Sequence, residues 1–207
     1  MGRTSDAKNK ILSAAHTLFE QRGYSALGVA EICKAAGVPK GSFYYFFDSK
    51  ETLALAVIDE HWATERRDWE RILRGDGTPL DRLRALFEAT EATQQTAQES
   101  CGTVVGCMLG NLSLEMSNQA DAVRGRLQEI FEDQVDMVDG LIVEAQERGD
   151  VGALDTRDAA QSMVAQLEGQ VLFAKLYNNP SRLNRLWPSC LALLGVRESE
   201  ASASVRA

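Results

Sequence analysis

Lys40, Ser42, Tyr44 and Tyr45 place an ammonium, a hydroxyl and two phenols in one short run of the chain. Phe43, Phe46 and Phe47 interleave with them at three- and four-residue spacing. A helix over Gly41–Phe47 would therefore bury the phenylalanines and turn Ser42, Tyr44 and Tyr45 outward, with Lys40 at its entry. Such a face suits phosphate and base contacts, and backbone N–H groups at the helix start add donors that favour anions. Upstream, a short helix near Val29–Ala36 leads into the turn Gly37-Val38-Pro39-Lys40. Together these segments have the layout of a helix-turn-helix over about residues 28–47, whose second helix enters the major groove. Taken alone, Tyr44 and Tyr45 read equally as ordinary amphipathic surface or interface residues.

The remaining reactive side chains point to little else. Cys33, Cys101, Cys107 and Cys190 show no CxxC or CxxCH spacing, and His16 and His61 stand far apart in the sequence. Neither a zinc cluster nor a disulfide framework follows, and no metal or cofactor is expected. The histidines read as helix-surface or packing residues. There is no Ser/His/Asp arrangement, and Pro39-Lys40-Gly41-Ser42 lacks the glycine spacing of a phosphate-binding loop. Gly106-Cys107 reads as a glycine-rich helix start, a setting for a reactive thiolate; a buried inert thiol is the alternative.

The elements that must position these residues are helices, since apolar residues recur at three and four positions and no alternating segment is sustained. The expected class is all-α. Helices are expected at Lys8–Arg22 (Ile11, Ala15, Leu18 and Phe19 inward), from Ser49 to Arg74, at Pro79–Thr96, Gly106–Met116, Asp121–Arg148 and Thr156–Tyr177, and from Asn179-Pro180 to Leu194. Ser49 and Asp155 are suited to cap their helices, and Gly23 to end the first. Residues 198–207 read as a frayed tail.

Residues 1–50 carry seven Lys and Arg against four Asp and Glu, whereas the other residues carry 15 against 26, although the whole chain of 207 residues has a net charge of −8. That asymmetry favours a nucleic-acid-facing amino-terminal end. No apolar run is long enough for a membrane span or a signal-peptide core, so a cytoplasmic protein is expected.

Residues 5–65 resemble the TetR family of transcriptional regulators. The likeness rests on Thr17-Leu18-Phe19-Glu20-Gln21-Arg22-Gly23-Tyr24, Val29-Ala30-Glu31-Ile32, Ala35-Ala36-Gly37-Val38-Pro39-Lys40-Gly41-Ser42-Phe43-Tyr44-Tyr45-Phe46-Phe47 and Ser49-Lys50-Glu51, in that order and spacing. The resemblance implies a DNA-binding domain over residues 1–49 in which Lys40, Gly41, Ser42, Tyr44 and Tyr45 meet DNA and Lys50 pairs with a backbone phosphate. Gly28 departs from the pattern, which usually has Thr or Ser there as a cap. The resemblance further implies an effector-binding and dimerising helical domain over residues 50–197 that pairs two chains through its last two helices. Ala159, Ala160, Met163, Val164, Leu167 and Val171 form an apolar stripe read as the pairing face, with monomer core as the alternative; Ala165 and Gly169 would allow close helix approach.

Cys107 to Glu115 resembles a TetR subgroup of electrophile-responsive repressors of the NemR kind, which implies electrophile or redox sensing at Cys107, with Cys101 beside it. Trp62, Phe87, Cys107, Phe131, Gln166, Gln170, Phe173 and Tyr177 are the candidate effector-pocket residues. The leading expectation is a homodimeric repressor released from operator DNA by a small molecule; the alternatives are an all-α enzyme using the carboxy-terminal cavity and an effector-free architectural DNA-binding protein.

Overall fold

The computed structural model describes residues 2–196, with side chains from Asp6 onward. Among these the regular structure is helical, without a strand: α1 (Gly2–Arg22), α2 (Val29–Ala36), α3 (Lys40–Phe46), α4 (Lys50–Leu73), α5 (Pro79–Cys101), α6 (Met108–Met116), α7 (Asp121–Arg148), α8 (Thr156–Leu176), a 3-10 turn (Pro180–Arg185) and α9 (Leu186–Leu193). The chain is all-α. The expected tail at residues 198–207 lies outside the described residues.

Two compact units are built from these elements. The first comprises the chain through Glu65 together with Met108–Glu129; the second comprises Arg66–Cys107 and the chain from Ile130. A boundary expected at residue 49 therefore falls inside the first unit. The reason is α4, whose Leu53, Ala54, Val57 and Ile58 are all buried, with Ile11, Ala15, Phe19, Ile32 and Phe43 of the first three helices among the core residues of the same unit. Leu109, Leu112, Met116 and Val123 from α6 and the start of α7 are buried in that unit as well. Leu18, expected inward, is only half-buried, and Leu12 is buried instead. Each of the larger side chains among them removed from water contributes roughly 1.5–3 kcal/mol, and each alanine about 0.8 kcal/mol, before conformational entropy is set against it. Local signals fix the ends. Gly23 takes φ +76° and its N–H closes on the Phe19 carbonyl at 3.0 Å, ending α1. Ser49 Oγ accepts the Thr52 N–H at 3.0 Å, opening α4.

In the second unit, Thr78 Oγ1 accepts the Asp81 N–H at 3.2 Å while Asp81 accepts the Thr78 N–H at 3.0 Å, a reciprocal cap for α5 with Pro79 at its first position. Asp155 caps α8 through the Asp158 N–H at 3.0 Å. The core joins Leu83, Leu86 and Phe87 of α5, Val138 and Ile142 of α7, Ala160, Met163 and Leu167 of α8, and Leu186 and Cys190 of α9. The helix expected from Pro180 to Leu194 is a 3-10 turn followed by a short α-helix. Helix α5 runs five residues past the expected Thr96, to its left-handed cap at Gly102.

The stripe read as the chain-pairing face requires correction. Ala159, Ala160, Met163, Val164, Leu167 and Val171 are all buried within one chain, because α8 packs them against α5, α7 and α9. Its exposed large apolar residues are Leu172, Phe173 and Leu176, with Tyr177 just past its end and Leu193 on α9 also exposed.

Candidate nucleic-acid interface and effector region

The two sides of α3 separate by burial. Phe43 is 0% exposed and Phe47 is buried, whereas Tyr44 is 51% and Tyr45 73% exposed. Phe43 packs its ring against Phe47 at 5.7 Å between centroids, which anchors the helix to the first unit. Phe46, expected to share that buried side, is half-buried; its ring instead supports Tyr45 edge-on at 4.8 Å. Lys40 Nζ stands 5.9 Å from the Tyr44 ring centroid, so the cation and the two phenols share one open surface with the half-buried Ser42. Gly41 is exposed, and a Cβ there would meet nothing within 4 Å. The fold does not need its missing side chain, but a close backbone approach by a partner would. Behind this surface, burial pushes the Cys33 thiol upward in pKa, with Lys40 opposing the shift.

Lys50 sits differently from the phosphate role implied for it. Its ammonium donates to the Tyr24 carbonyl at 2.9 Å and the Leu27 carbonyl at 2.8 Å, and lies 3.7 Å from the Tyr24 ring centroid. Burial holds it below the usual lysine range, with the Glu115 carboxylate pulling the other way. Two of its three donors thus stitch the α1–α2 turn to the start of α4. From α6, Glu115 accepts the Tyr24 N–H at 2.6 Å. Glu31 compensates for the missing cap at Gly28: its carboxylate accepts the Gly28 N–H and binds Arg22, both at 3.1 Å, and these two partners, the backbone bond first, lower its pKa.

The effector candidates are divided between the two units. Trp62 is buried in the first unit. In the second, Phe87 is buried with its ring 6.1 Å from Trp187, and Cys107 and Phe131 pack half-buried against the same core. Gln166 and Gln170 are half-buried on α8. Phe173 and Tyr177 are exposed, stacked 6.4 Å apart, with the Arg182 guanidinium 3.7 Å from the Tyr177 ring.

Cys107 stands immediately before α6, whose first residue is Met108 rather than the expected Gly106. Gly106 adopts φ +81°, and buried Gln94 grips it from both sides: Gly106 N–H donates to Oε1 at 3.0 Å, and Nε2 donates to the Gly106 carbonyl at 3.2 Å. Asn178 fixes the same loop through Val104 and Gly102. Cys101 is exposed at the opposite kind of helix end, the carboxy terminus of α5, where as a thiol it donates to the Ala97 carbonyl at 2.9 Å. Cys190 is buried and pushed up to about 12.

Sequence reasoning assigned no role to two further groups. Glu115 lies 91 positions from its Tyr24 partner, and no local pattern encodes that pairing. His16 and His61, far apart in the sequence and read as helix-surface or packing residues, meet with Nε2 and Nδ1 2.9 Å apart.

A helical unit holding a helix-turn-helix, in one chain with a second helical unit, is an architecture used by helix-turn-helix DNA-binding regulators. Residues 11–57 match the tetR family of bacterial regulatory proteins, and residues 79–189 match the tetracyclin repressor-like carboxy-terminal domain. The chain is 34% identical over 125 residues to the transcriptional repressor NemR of Escherichia coli K12, a match covering 59% of this chain and 60% of that relative. It is 33% identical over 187 residues to the transcriptional repressor DhaR of Mycobacterium sp. strain GP1, covering 89% of this chain and 90% of that one. A crystal structure of regulatory protein TetR from Rhodobacter sphaeroides shares its fold with a TM-score of 0.80 and 33% identity, over 89% of this chain and 96% of that one. The chain belongs to the TetR family of bacterial regulatory proteins. Among the described residues no helix is long and apolar enough to cross a membrane.

Proposed function

We propose that the protein is a cytoplasmic, homodimeric transcriptional repressor that reads operator DNA through α3 and leaves it when a small molecule binds the carboxy-terminal unit. The observation carrying this reading is the two-sided α3, with Phe43 sealed in the core while Tyr44 and Tyr45 stand in solvent beside Lys40. Lys40, Gly41, Ser42, Tyr44 and Tyr45 make the base and phosphate contacts. Lys50 acts mainly by holding the turn that presents the head, with its third N–H left for a phosphate. NemR and DhaR are named repressors, which supports the sign of regulation.

Dimerisation uses the exposed side of α8 and α9. Ala165, Gly169, Leu172 and Leu176 recur at four, three and four residues, the spacing of a helix-pairing seam, and Leu176 is 70% exposed in the single chain. Two chains joined there present two heads to paired half-sites.

Release runs through α6. It begins one residue after Cys107 and carries Glu115 on the α1–α2 turn of the head, so a shift of its amino-terminal end reaches Tyr24 through a rigid rod. Noncovalent seating of an effector in the second unit, against whose core Cys107 packs just before α6, supplies the shift. A second reading, covalent capture of an electrophile by Cys107, is favoured by the partial exposure of that thiol at the head of the same helix.

Selection of tight-binding duplexes from a random pool tests the proposal. An enriched inverted repeat with half-sites about one helical turn apart, or a multiple of it, is expected; a pool without enrichment would contradict it.

A further inference from the structure

We propose that His16, Glu20 and His61 form a binding site for one divalent transition-metal ion, with Glu65 orienting His61 from outside the coordination sphere. The site joins α1 to α4 within the first unit and does not depend on the regulator reading. His16 and Glu20 are one turn apart on α1, and His61 and Glu65 one turn apart on α4, so each helix offers an imidazole and a carboxylate on one side. One donor atom from each of His16, Glu20 and His61 lies within 4.8 Å of the other two. Ligands held about 2.0–2.2 Å from a zinc-like ion are at most about 4.4 Å apart, so small side-chain rotations bring the three donors onto one centre.

His16 Nε2 and His61 Nδ1 face each other at 2.9 Å with ring centroids 5.2 Å apart, a nearly head-on approach with room for a single proton between them. With each outer nitrogen carrying the hydrogen instead, both inner lone pairs are free to converge on an ion, and Glu20, whose Oε2 lies 3.5 Å from the outer His16 Nδ1, turns a carboxylate oxygen from that nitrogen to the ion. The step is ligand substitution: two neutral imidazoles and one carboxylate displace water from the hydrated ion, and no electron moves.

Glu65 gives an independent sign. Its Oε2 is buried without a hydrogen-bond partner and lies 3.5 Å from His61 Nε2, where it can receive the N–H that a coordinated His61 carries on its outer nitrogen. The side chains of His16, Glu20, His61 and Glu65 keep between 22% and 34% of their surface in solvent, which leaves an entry path. Two imidazoles and a carboxylate suit zinc, nickel or cobalt and not the oxygen-seeking magnesium or calcium.

Equilibrium dialysis of the reduced full chain against Co2+ tests the site. One ion per chain is expected, with a visible ligand-field spectrum, no near-ultraviolet thiolate band, shifted imidazole N–H proton resonances and a higher unfolding temperature. His16→Gln and His61→Gln should each weaken binding more than about tenfold, and Glu65→Gln by about 10–100-fold, as for other outer partners of metal-bound histidine. The imidazole resonances read ligation on the unaltered chain, so the answer does not hang on how the variants fold. Absence of stoichiometric binding, no shifted imidazole signal, or a thiolate band would overturn the proposal.

Discussion

Glu115 accepts the backbone N–H of Tyr24 at 2.6 Å, and the same carboxylate lies against Gly23, where any Cβ would strike it. One side chain of α6 therefore occupies the turn that joins α1 to α2, and Lys50 closes that turn from α4. Removing the carboxylate in Glu115→Ala leaves a part-buried N–H without its charged acceptor and should cost about 1–2 kcal/mol in urea unfolding. Gly23→Ala adds a left-handed alanine, about 1–2 kcal/mol, to the collision. In the double variant the collision is gone, so the alanine at position 23 should cost less than it does alone. Strict additivity would show that the two residues are not in contact.

Phe43→Ala should cost about 3–5 kcal/mol of stability, because the ring is fully enclosed. Tyr45→Ala should leave the unfolding free energy in urea within about 0.5 kcal/mol of the starting protein while weakening operator binding by about 1–3 kcal/mol. The opposite pair of effects would mean that the two sides of α3 have been exchanged.

How much of this was legible beforehand differs element by element. The period of Phe43 and Phe47 against Tyr44 and Tyr45 is local, so the orientation of α3 followed from the residues themselves. Phe46 lies between the two sides, and only the packing of its ring under Tyr45 decides its half-buried place. Helix α8 is apolar on more than one side, so its period offered two faces and could not choose between core and pairing surface; α5, α7 and α9 chose. The division within α4 was unreadable because the helix continues through Glu65 and Arg66 without a break signal. Glu115 with Tyr24 and His16 with His61 join distant parts of the chain, and such pairs leave no mark in either local pattern.

Placing charge on the exposed side of α8, as in Leu172→Glu with Leu176→Glu, should convert the dimer to a monomer in sedimentation without lowering helicity, since neither leucine belongs to the core of its own chain. Operator affinity should fall with it, because a single head loses the paired half-site. A dimer that survives both substitutions would move the pairing surface elsewhere.

The four thiols should differ in reach. Cys101 is exposed and should alkylate first, whereas Cys33 and Cys190 should resist until the chain unfolds. Burial raises Cys190 from 9.0 to about 12. Between those values the unfolded chain releases a proton that the folded chain keeps. The stability this provides is complete below pH 9 and declines as pH rises toward 12, by up to about 1.4 kcal/mol per pH unit. Cys190→Ala should flatten the alkaline decline relative to the starting protein; an unchanged slope would place the loss at other groups.

The central claim, that the face of α3 reads sequence, is tested most directly by fluorescence anisotropy on the selected inverted repeat and on a scrambled duplex of equal length at one fixed salt concentration. The starting protein should bind the repeat at least about a thousandfold more tightly than the scramble, while the Tyr44→Ala, Tyr45→Ala double variant keeps the weaker affinity and loses most of the preference. Equal affinity of the starting protein for both duplexes, or an undiminished preference in the double variant, would contradict the account.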